Sequence, residues 1–315
     1  MKRLRVVFMG TPDFAVPCLE MLHQNTDVLA VFTQPDKPKG RGKKLTSPPV
    51  KVYAEAQRIP VLQPKSLRDA EIIRDLKALA PELIVVVAYG KILPPEVLAI
   101  PKYGAINVHA SLLPKYRGAA PMQQAILNGE TKTGITTMFM DAGLDTGDIL
   151  LQREVAILPD MNASELATAM QKVGAELLAE TLQNLVDGTL QRIPQTNEGS
   201  SYASMLTKDM GQIDWEQDAT QLHNLVRGLN PWPCAFTYWQ GKRIKIWRTR
   251  IVERSGKAGM VFALTKAGFL VGTGNKALEI LELQAPGKRR MAASDFVHGH
   301  GLTVGDHFAN EIDEA

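Results

Sequence analysis

An amide, an imidazole and a carboxylate are the side chains with the clearest chemical potential in this sequence. Asn107 and His109 lie in the run GAINVHASLLP at positions 104–114, and Asp145 lies in the run MDAGLDTGD at 140–148. The set contains no serine or cysteine nucleophile. An amide can donate to an oxyanion, and an imidazole beside a carboxylate can move protons. These residue types predict a reaction that stabilises an oxyanion and transfers a proton.

The spacing of Asn107 and His109 predicts that both side chains face one place. Residues 105–109 are otherwise apolar and β-branched, which is typical of the end of a buried strand. Side chains two positions apart on a strand share a face. A strand that ends in a loop is also where open α/β sheets bind their ligands. The structural alternative is that His109 only hydrogen-bonds at a strand end and Asn107 caps a turn.

The segment around Asp145 favours the chemical interpretation. It follows a second apolar run, 135–140, and contains two glycines and three carboxylates. The glycines allow the backbone to approach a flat ligand, and a carboxylate can partner an imidazolium.

Together these motifs resemble the folate-dependent formyltransferases, whose signature is Asn-x-His at a strand end, a Ser-Leu-Leu-Pro stretch and an Asp in a later Gly-rich loop. Asn107, His109, the stretch 111–114 and Asp145 match that signature. Within the family, the sequence is most similar to the members that act on methionyl-tRNA. The similarity runs nearly end to end and includes GTPDF at 10–14, VAYG at 87–90 and NPWP at 230–233.

The resemblance implies transfer of a formyl group from 10-formyltetrahydrofolate, a co-substrate, to the α-amino group of methionyl initiator tRNA. Asn107 and protonated His109 would then donate to the oxyanion of the tetrahedral intermediate. Asp145 would orient His109, favour its charged form and help to relay the proton. No covalent intermediate is needed, because the amine is already a nucleophile. By the same resemblance, the folate is held by Ser111, Leu112, Leu113, Pro114, Tyr89, Ile92, Asp141, Gly143 and Leu144.

The order of apolar runs and helical periods predicts an α/β fold. Apolar β-branched runs at 5–9, 28–33, 83–88, 105–109 and 135–140 alternate with segments of helical spacing such as 71–79. This pattern favours a mostly parallel, Rossmann-like sheet with helices on both faces. A nicotinamide cofactor is not expected, since Pro12 stands where the dinucleotide fingerprint needs its second glycine.

The last third of the chain changes character. Residues 161–187 and 219–229 have helical spacing, the segment 194–201 is polar and aperiodic, and short alternating runs follow position 233. Such short strands predict a small barrel, and the resemblance implies an OB-like one. We therefore expect a formyltransferase catalytic domain at 1–190, a linker at 191–208 and a tRNA-binding domain at 209–315.

Charge is uneven along the chain. Between Lys242 and Arg290 there are twelve basic and three acidic side chains, a net charge of +9, whereas the whole chain of 315 residues carries only +3. A basic face with Trp239 and Trp247 interleaved suits a phosphate backbone. The alternative is a solvated basic surface with the two tryptophans in the barrel core.

A second basic element lies at positions 37–44, where five cations and two glycines follow a proline. Taken alone it would be a solvated loop, and the resemblance makes it a clamp for the acceptor end of tRNA. We choose Arg41 for the direct contact, because a guanidinium can grip a phosphate or stack on a base. The predicted tRNA-binding residues are Arg41, Lys43, Lys44, Lys245, Arg248, Lys288 and Arg289.

Composition points to a cytoplasmic enzyme. Cys18 and Cys234 are the two cysteines and lie far apart, so neither a disulfide framework nor a metal site is expected. The apolar run that follows the basic start stops at Gly10, Pro12 and Asp13 and is too short for the core of a secretion signal. No stretch approaches the roughly 20 apolar residues of a membrane span. We expect a monomer that does not bind membranes.

Three other functions remain open at this point. A folate formyltransferase that acts on a nucleotide or sugar amine would use the same three side chains but has little need of the basic barrel. A folate hydrolase would use water in place of the amine. A non-enzymatic RNA-binding protein explains the barrel and leaves the Asn-His-Asp set without a purpose. Formyl release without an acceptor would favour the hydrolase, and RNA binding without folate turnover would favour the binding protein.

Overall fold

The computed structural model describes residues 3–39 and 44–309. The strands, in chain order, are β1 (Arg5–Gly10), β2 (Asp27–Phe32), β3 (Lys37–Lys39), β4 (Lys44–Thr46), β5 (Val61–Leu62), β6 (Leu83–Val87), β7 (Ala105–His109), β8 (Arg117–Gly118), β9 (Lys132–Phe139), β10 (Ile149–Ala156), β11 (Tyr202–Ala203), β12 (Ala235–Trp239), β13 (Lys242–Val252), β14 (Val261–Leu264), β15 (Phe269–Gly272), β16 (Ala277–Gln284) and β17 (Met291–Ala292). The helices are α1 (Val16–Asn25), α2 (Pro49–Ala56), α3 (Ala70–Leu79), α4 (Pro95–Leu98), α5 (Pro121–Leu127), α6 (Ala163–Asp187), α7 (Ala219–Gly228) and α8 (Ala293–His300).

A seven-stranded sheet carries Asn107 and His109. Its order is β10-β9-β7-β6-β1-β2-β5. The strands from β7 to β5 in this order are parallel, and β9 runs antiparallel to β7. The sequence of β6, LIVVV, is buried along its whole length, as expected for a parallel strand covered on both faces.

Helices cover both faces of this sheet. Ala105 of β7 belongs to an apolar cluster with Leu76 of α3 and Val97 of α4. On the opposite face, a Cβ added to Gly174 of α6 would lie 3.5 Å from Cγ1 of Val108. Because side chains alternate along a strand, Asn107 and His109 lie on the same face as Ala105.

The barrel is an antiparallel sheet in the order β12-β13-β16-β15-β14, with β17 paired to β16. The segment 305–309 hydrogen-bonds to both of its edges. The Phe308 N–H donates to the Gly259 carbonyl at 2.7 Å beside β14, and the Ala309 N–H donates to the Tyr238 carbonyl of β12 at 2.8 Å. Pairing one segment with both edges closes the sheet. The predicted fold class, a mostly parallel sheet followed by a small β-barrel, is confirmed.

Helix α7 shows how local sequence sets an element of the barrel part of the chain. Asp218 caps its start and accepts from the Thr220 N–H at 2.7 Å, and Gln221 completes a capping box. Leu222 and Val226, four positions apart, are buried in the barrel core.

The described residues form two compact units. The first consists of Met1–Pro121, Thr133–Val155 and Ala167–Ala203, and the second of Met122–Lys132, Ala156–Leu166 and Ser204–Ala315, each within the described ranges. None of the helices formed by the described residues combines the length and the apolar content that a bilayer crossing requires.

Candidate active site

Strand β7 presents Asn107 and His109 to one place. Both residues are buried, with 9% and 5% of their surface exposed. Asn107 pairs in register with Val86 of β6 on one side and with Met138 of β9 on the other. The strand therefore fixes the backbone beneath both functional side chains.

The loop between β9 and β10 brings Asp145 to them. Its Oδ1 lies 3.4 Å from Nδ2 of Asn107, and its Oδ2 lies 3.6 Å from Nδ1 of His109. Because β9 is antiparallel to β7, Phe139 at its end lies opposite Ile106, and the loop folds back to reach the two side chains. The structure thus brings the three predicted catalytic residues together.

Asp145 is held in an unusual conformation. Its φ is 52°, in the left-handed region that costs a residue other than glycine about 1 kcal/mol or more. Its Oδ2 accepts a hydrogen bond from the Gly118 N–H at 2.8 Å. Gly118 has a φ of 117°, and a Cβ there would lie 2.6 Å from the Ala203 carbonyl oxygen, so only glycine fits.

The tautomer of His109 follows from its contacts. Nε2 lies 3.0 Å from the carbonyl oxygen of Tyr116. A carbonyl can only accept, so Nε2 carries a hydrogen whether the ring is neutral or charged. Nδ1 is the ring nitrogen that faces Asp145. The ring orientation is set by the Tyr116 backbone as well as by the carboxylate.

The segment 195–203 supports this backbone. The Tyr116 N–H donates to Oγ of Ser201 at 2.9 Å, and Nε2 of Gln195 donates to the carbonyls of Asp145 and Gly147 at 3.0 and 2.7 Å. Strand β11 pairs with β8 in parallel. These residues were missed as part of the site because the segment is polar and aperiodic. The only sequence feature that marks this segment is its frequent Gln, Asn and Ser residues, and this composition is also typical of a linker.

The four predicted folate residues after β7 differ in accessibility. Ser111 has no exposed surface, and its hydroxyl donates to the Lys115 carbonyl at 2.7 Å. Leu113 packs with Met138 and Ile149 in a small apolar cluster. Leu112 and Pro114 are half-buried.

The other predicted folate residues lie in loops that follow β6 and β9, the strands on either side of β7. Ile92 and Leu144 are 82% and 55% exposed, and Asp141 and Gly143 are also exposed. Tyr89 is buried, and its hydroxyl lacks a hydrogen-bond partner among the described residues. Burial raises the pKa of Tyr89 to about 12. Ile92 and Leu144 thus present exposed aliphatic surface in the loops that follow the two strands beside β7.

The predicted tRNA contacts are described only in part. Arg41 and Lys43 lie outside the described residues, as does the side chain of Lys44. In the barrel, Arg248, Lys288 and Arg289 are exposed and Lys245 is half-buried.

Carboxylates neutralise only part of the barrel charge. Glu279 accepts from Nε of Arg250 at 2.9 Å, Glu253 from Nζ of Lys276 at 2.7 Å and Glu282 from Nε of Arg290 at 3.0 Å. All three acidic residues of the interval 242–290 are therefore engaged, and the excess of nine cations remains.

The two barrel tryptophans occupy different environments. Trp239 is 5% exposed and packs against Phe296 and Phe308 in the barrel core. The prediction that Trp239 lies on a basic face is therefore wrong. Trp239 lies in the barrel core, as the alternative interpretation had it, because alternate residues of β12 face inward. Trp247 is half-buried, with the guanidinium of Arg290 4.8 Å from its ring centroid.

Both cysteines are buried and free. Burial raises the pKa of Cys18 to about 12 and that of Cys234 to about 11, so neither thiol is reactive near neutral pH. Within residues 3–39 and 44–309, no group of three or more His, Cys, Asp and Glu side chains could hold a metal ion.

The burial of His223 predicts that the free energy of unfolding depends on pH. The residue is 7% exposed, and its Nδ1 lies 2.9 Å from Oγ1 of Thr249. Burial lowers the pKa of His223 from its ordinary value; the Pro159 carbonyl and Asp160 raise this pKa, and Arg227 lowers it further. The unfolded chain binds a proton at this residue below about pH 6.5, whereas the folded chain binds one only at a lower pH. The free energy of unfolding should therefore fall as the pH drops below that value, by at most about 1.4 kcal/mol per pH unit from this group.

Urea unfolding between pH 8 and 5 measures this slope. His223→Gln should flatten it by up to one proton, and the exposed His298→Gln is the matched control that should leave it unchanged. Equal slopes in the wild type and in His223→Gln would contradict the assignment.

Comparison with known proteins identifies the family. The family model for formyl transferase matches residues 2–182, and the model for the formyl transferase C-terminal domain matches residues 205–301. The chain belongs to the formyl transferase family. The first match contains the Asn107, His109 and Asp145 cluster, and the second contains the barrel strands.

Curated relatives match over nearly their whole length. A methionyl-tRNA formyltransferase of Acetivibrio thermocellus is 51% identical over 307 residues, which is 96% of this chain and 99% of the relative. One of Geobacter metallireducens is 51% identical over 306 residues, 97% of this chain and 98% of the relative.

Solved structures share the fold at low identity. HypX from Aquifex aeolicus in complex with tetrahydrofolic acid has a TM-score of 0.65 at 19% identity, over 96% of this chain and 48% of that one. An N-formyltransferase from Helicobacter canadensis in complex with folinic acid and dTDP-3-aminofucose has a TM-score of 0.64 at 22% identity, over 89% and 99%.

Proposed function

We propose that this protein transfers the formyl group of 10-formyltetrahydrofolate to the α-amino group of methionyl initiator tRNA, giving N-formylmethionyl-tRNA for translation initiation. The observation that carries the proposal is identity of about half the residues, through both the sheet and the barrel, with methionyl-tRNA formyltransferases. A relative that shared only the catalytic unit would support the reaction but not the acceptor.

The reaction begins when the neutral amine attacks the formyl carbon. The carbonyl oxygen becomes an oxyanion, and Nδ2 of Asn107 donates a hydrogen bond to it. Asn107 suits this role because its amide lies on a rigid strand and is buried, so the donor is preorganised. Deleting one donor of this kind typically costs about 2.7 to 4 kcal/mol of transition-state stabilisation.

Proton transfer completes the reaction. The amine loses a proton as its bond to the formyl carbon forms, and the folate nitrogen gains one as the old carbon–nitrogen bond breaks. We assign the relay to Nδ1 of His109 and the carboxylate of Asp145, which lie 3.6 Å apart at the site. The carboxylate of Asp145 accepts the amine proton while Nδ1–H of charged His109 is the second donor to the oxyanion. As the intermediate collapses, Nδ1 gives its proton to the folate nitrogen and Asp145 returns one to Nδ1. The Tyr116 carbonyl keeps Nε2 protonated throughout.

The folate lies in this proposal against the loops after β6 and β9. Ile92 and Leu144 present aliphatic surface to it, backbone groups near Tyr89, Asp141 and Gly143 meet its polar edge, and Ser111 to Pro114 form the adjoining wall. The contribution of Ser111 is to hold the Lys115 carbonyl, since its hydroxyl is engaged there.

We assign tRNA binding to the barrel and to the basic loop. The proposal divides the chain into a catalytic domain at 1–190, a linker at 191–208 and a tRNA-binding domain at 209–315. Lys245, Arg248, Lys288 and Arg289 would contact phosphates, and Arg41, Lys43 and Lys44 the acceptor end. Since one chain supplies both functions, the proposal needs only a monomer, working in the cytoplasm where initiator tRNA enters translation.

The test is formylation of charged initiator tRNA by the purified protein with 10-formyltetrahydrofolate. Formylmethionyl-tRNA should appear only with both substrates. Release of tetrahydrofolate without tRNA would replace the proposal with a hydrolase. Formylation of an amino sugar nucleotide but not of methionyl-tRNA would point to the sugar branch of the family, and tRNA binding without turnover to a binding protein.

A further inference from the structure

We propose that Gln195 is a positioning residue for the Asp145 carboxylate, and that the buried guanidinium of Arg117 holds Gln195 in that role. The inference rests on the proposed formyl transfer, because it concerns the geometry of the same catalytic side chains. It assigns a function to a segment whose sequence is typical of a linker.

The backbone around Asp145 needs external support. A residue with a left-handed φ persists when its surroundings over-determine it. A single amide nitrogen, Nε2 of Gln195, donates to the carbonyls of both Asp145 and Gly147, at 3.0 and 2.7 Å. This bridge fixes the turn on the backbone side, and the Gly118 N–H fixes the carboxylate at 2.8 Å.

Arg117 determines which way the Gln195 amide points. Oε1 of Gln195 accepts from Nε and Nη2 of Arg117, at 3.2 and 2.9 Å. A guanidinium only donates, so the oxygen of the amide must face it and the nitrogen must face the two carbonyls. The contact with Arg117 therefore fixes the orientation of the Gln195 amide.

Arg117 is itself immobilised. It is 1% exposed, and it also donates to Oδ1 of Asn197 at 3.1 Å and to the Thr196 carbonyl at 3.2 Å. All of these acceptors are neutral oxygens of three consecutive residues. A buried charge is costly unless its hydrogen bonds are satisfied, so a guanidinium here must keep the segment 195–197 in place.

Two consecutive residues, Arg117 and Gly118, thus restrain Asp145 at its carboxylate and at its main-chain carbonyl. The N–H of Gly118 holds the carboxylate, while the side chain of the preceding residue, Arg117, holds the carbonyl through Gln195. The distances from Asp145 to Asn107 and His109, 3.4 and 3.6 Å, follow from these two restraints.

Gln195→Glu tests the hydrogen-bond donor of Gln195 separately from its acceptor. The new carboxylate keeps the acceptor for Arg117 and adds an ion pair, but it removes the donor to the two carbonyls. We expect kcat for formyl transfer to fall about 100-fold, the loss typical of a misplacement of about 1 Å, with both KM values within about threefold of wild type. Gln191→Glu, an exposed change of the same kind nearby, should stay within about twofold.

A double mutant distinguishes positioning from a general structural effect. Because Gln195 acts through Asp145, Gln195→Glu should change kcat by less than about threefold when Asp145 is already replaced by alanine. Equal losses in both backgrounds, or no loss in the first, would overturn the proposal. Gln195→Met, which removes both donor and acceptor without adding charge, repeats the test if the glutamate variant does not fold.

A measurement that does not require turnover tests this inference independently of the proposed function. The ring ¹⁵N signals of His109, assigned by their loss in His109→Gln, should move in Gln195→Met and stay in place in Gln191→Glu. If the wild type did not formylate methionyl-tRNA, the proposed function would fail while this measurement still judged the network. An unmoved His109 signal in Gln195→Met would overturn the positioning role.

Discussion

Asp145→Asn is expected to lower kcat for formylation about 1,000-fold while the KM for methionyl-tRNA stays within about threefold. The amide has the size of the carboxylate, so the fold should survive. The measurement is initial-rate formylation with each substrate varied in turn, beside thermal unfolding of the variant.

The size of this effect comes from two contacts that cannot both be kept. The oxygen of the new amide can still accept from the Gly118 N–H, which lies 2.8 Å from Oδ2. Its nitrogen then faces Nδ2 of Asn107, which lies 3.4 Å from Oδ1. Two donors oppose each other, so Asn107 must turn and withdraw its donor from the oxyanion. The same change removes the charge beside Nδ1 of His109.

Asp148→Asn is the matched control in the same loop. Its carboxylate pairs with the exposed Arg192 at 2.9 Å, a surface ion pair that contributes about 0 to 1 kcal/mol. Its kcat should remain within about twofold of wild type. A comparable loss in both variants would mean that the loop fold, and not the Asp145 carboxylate, limits turnover.

The shared face of Asn107 and His109 could be predicted from sequence because it depends only on the alternation of a single strand. The run 105–109 is buried and regular, and its bounds in the structure are those expected. The same holds for α6, whose apolar spacing predicts a start at Met161 and whose first helical residue is Ala163.

The approach of Asp145 to these side chains could not be predicted from local pattern. It depends on β9 running antiparallel in an otherwise parallel region and on a loop that returns across the sheet. Nothing in the composition of residues 132–148 reports strand direction. The residues offered a carboxylate of this segment as a partner for His109 on chemical grounds, and the family resemblance gave Asp145 its role.

The role of the segment 195–203 was hidden for a different reason. The contact between Arg117 and Gln195 spans 78 positions, and the strand pairing that accompanies it joins strands of only two residues each, β8 and β11. Such short pairings have no measurable periodicity. A polar segment that satisfies a buried guanidinium and a polar segment that faces water have the same composition.

The barrel contributes the second large effect. The double variant Arg248→Glu and Arg289→Glu should raise the KM for methionyl-tRNA at least about 10-fold and leave kcat at saturating tRNA within about twofold. Both side chains are exposed, and the three carboxylates of the interval 242–290 are already paired with other cations. The new carboxylates would therefore face the phosphates without compensation.

Salt dependence decides whether this loss reflects phosphate contacts. If each arginine neutralises one phosphate, the slope of log kcat/KM against log salt should become shallower by roughly 1 per residue. Lys172→Glu, a single charge reversal on the exposed face of α6, should alter neither KM nor slope. An unchanged KM in the double variant would remove the barrel from tRNA binding. A raised KM with an unchanged slope would mean that these arginines act on tRNA indirectly, because the number of ions released on binding counts the phosphates that the protein neutralises.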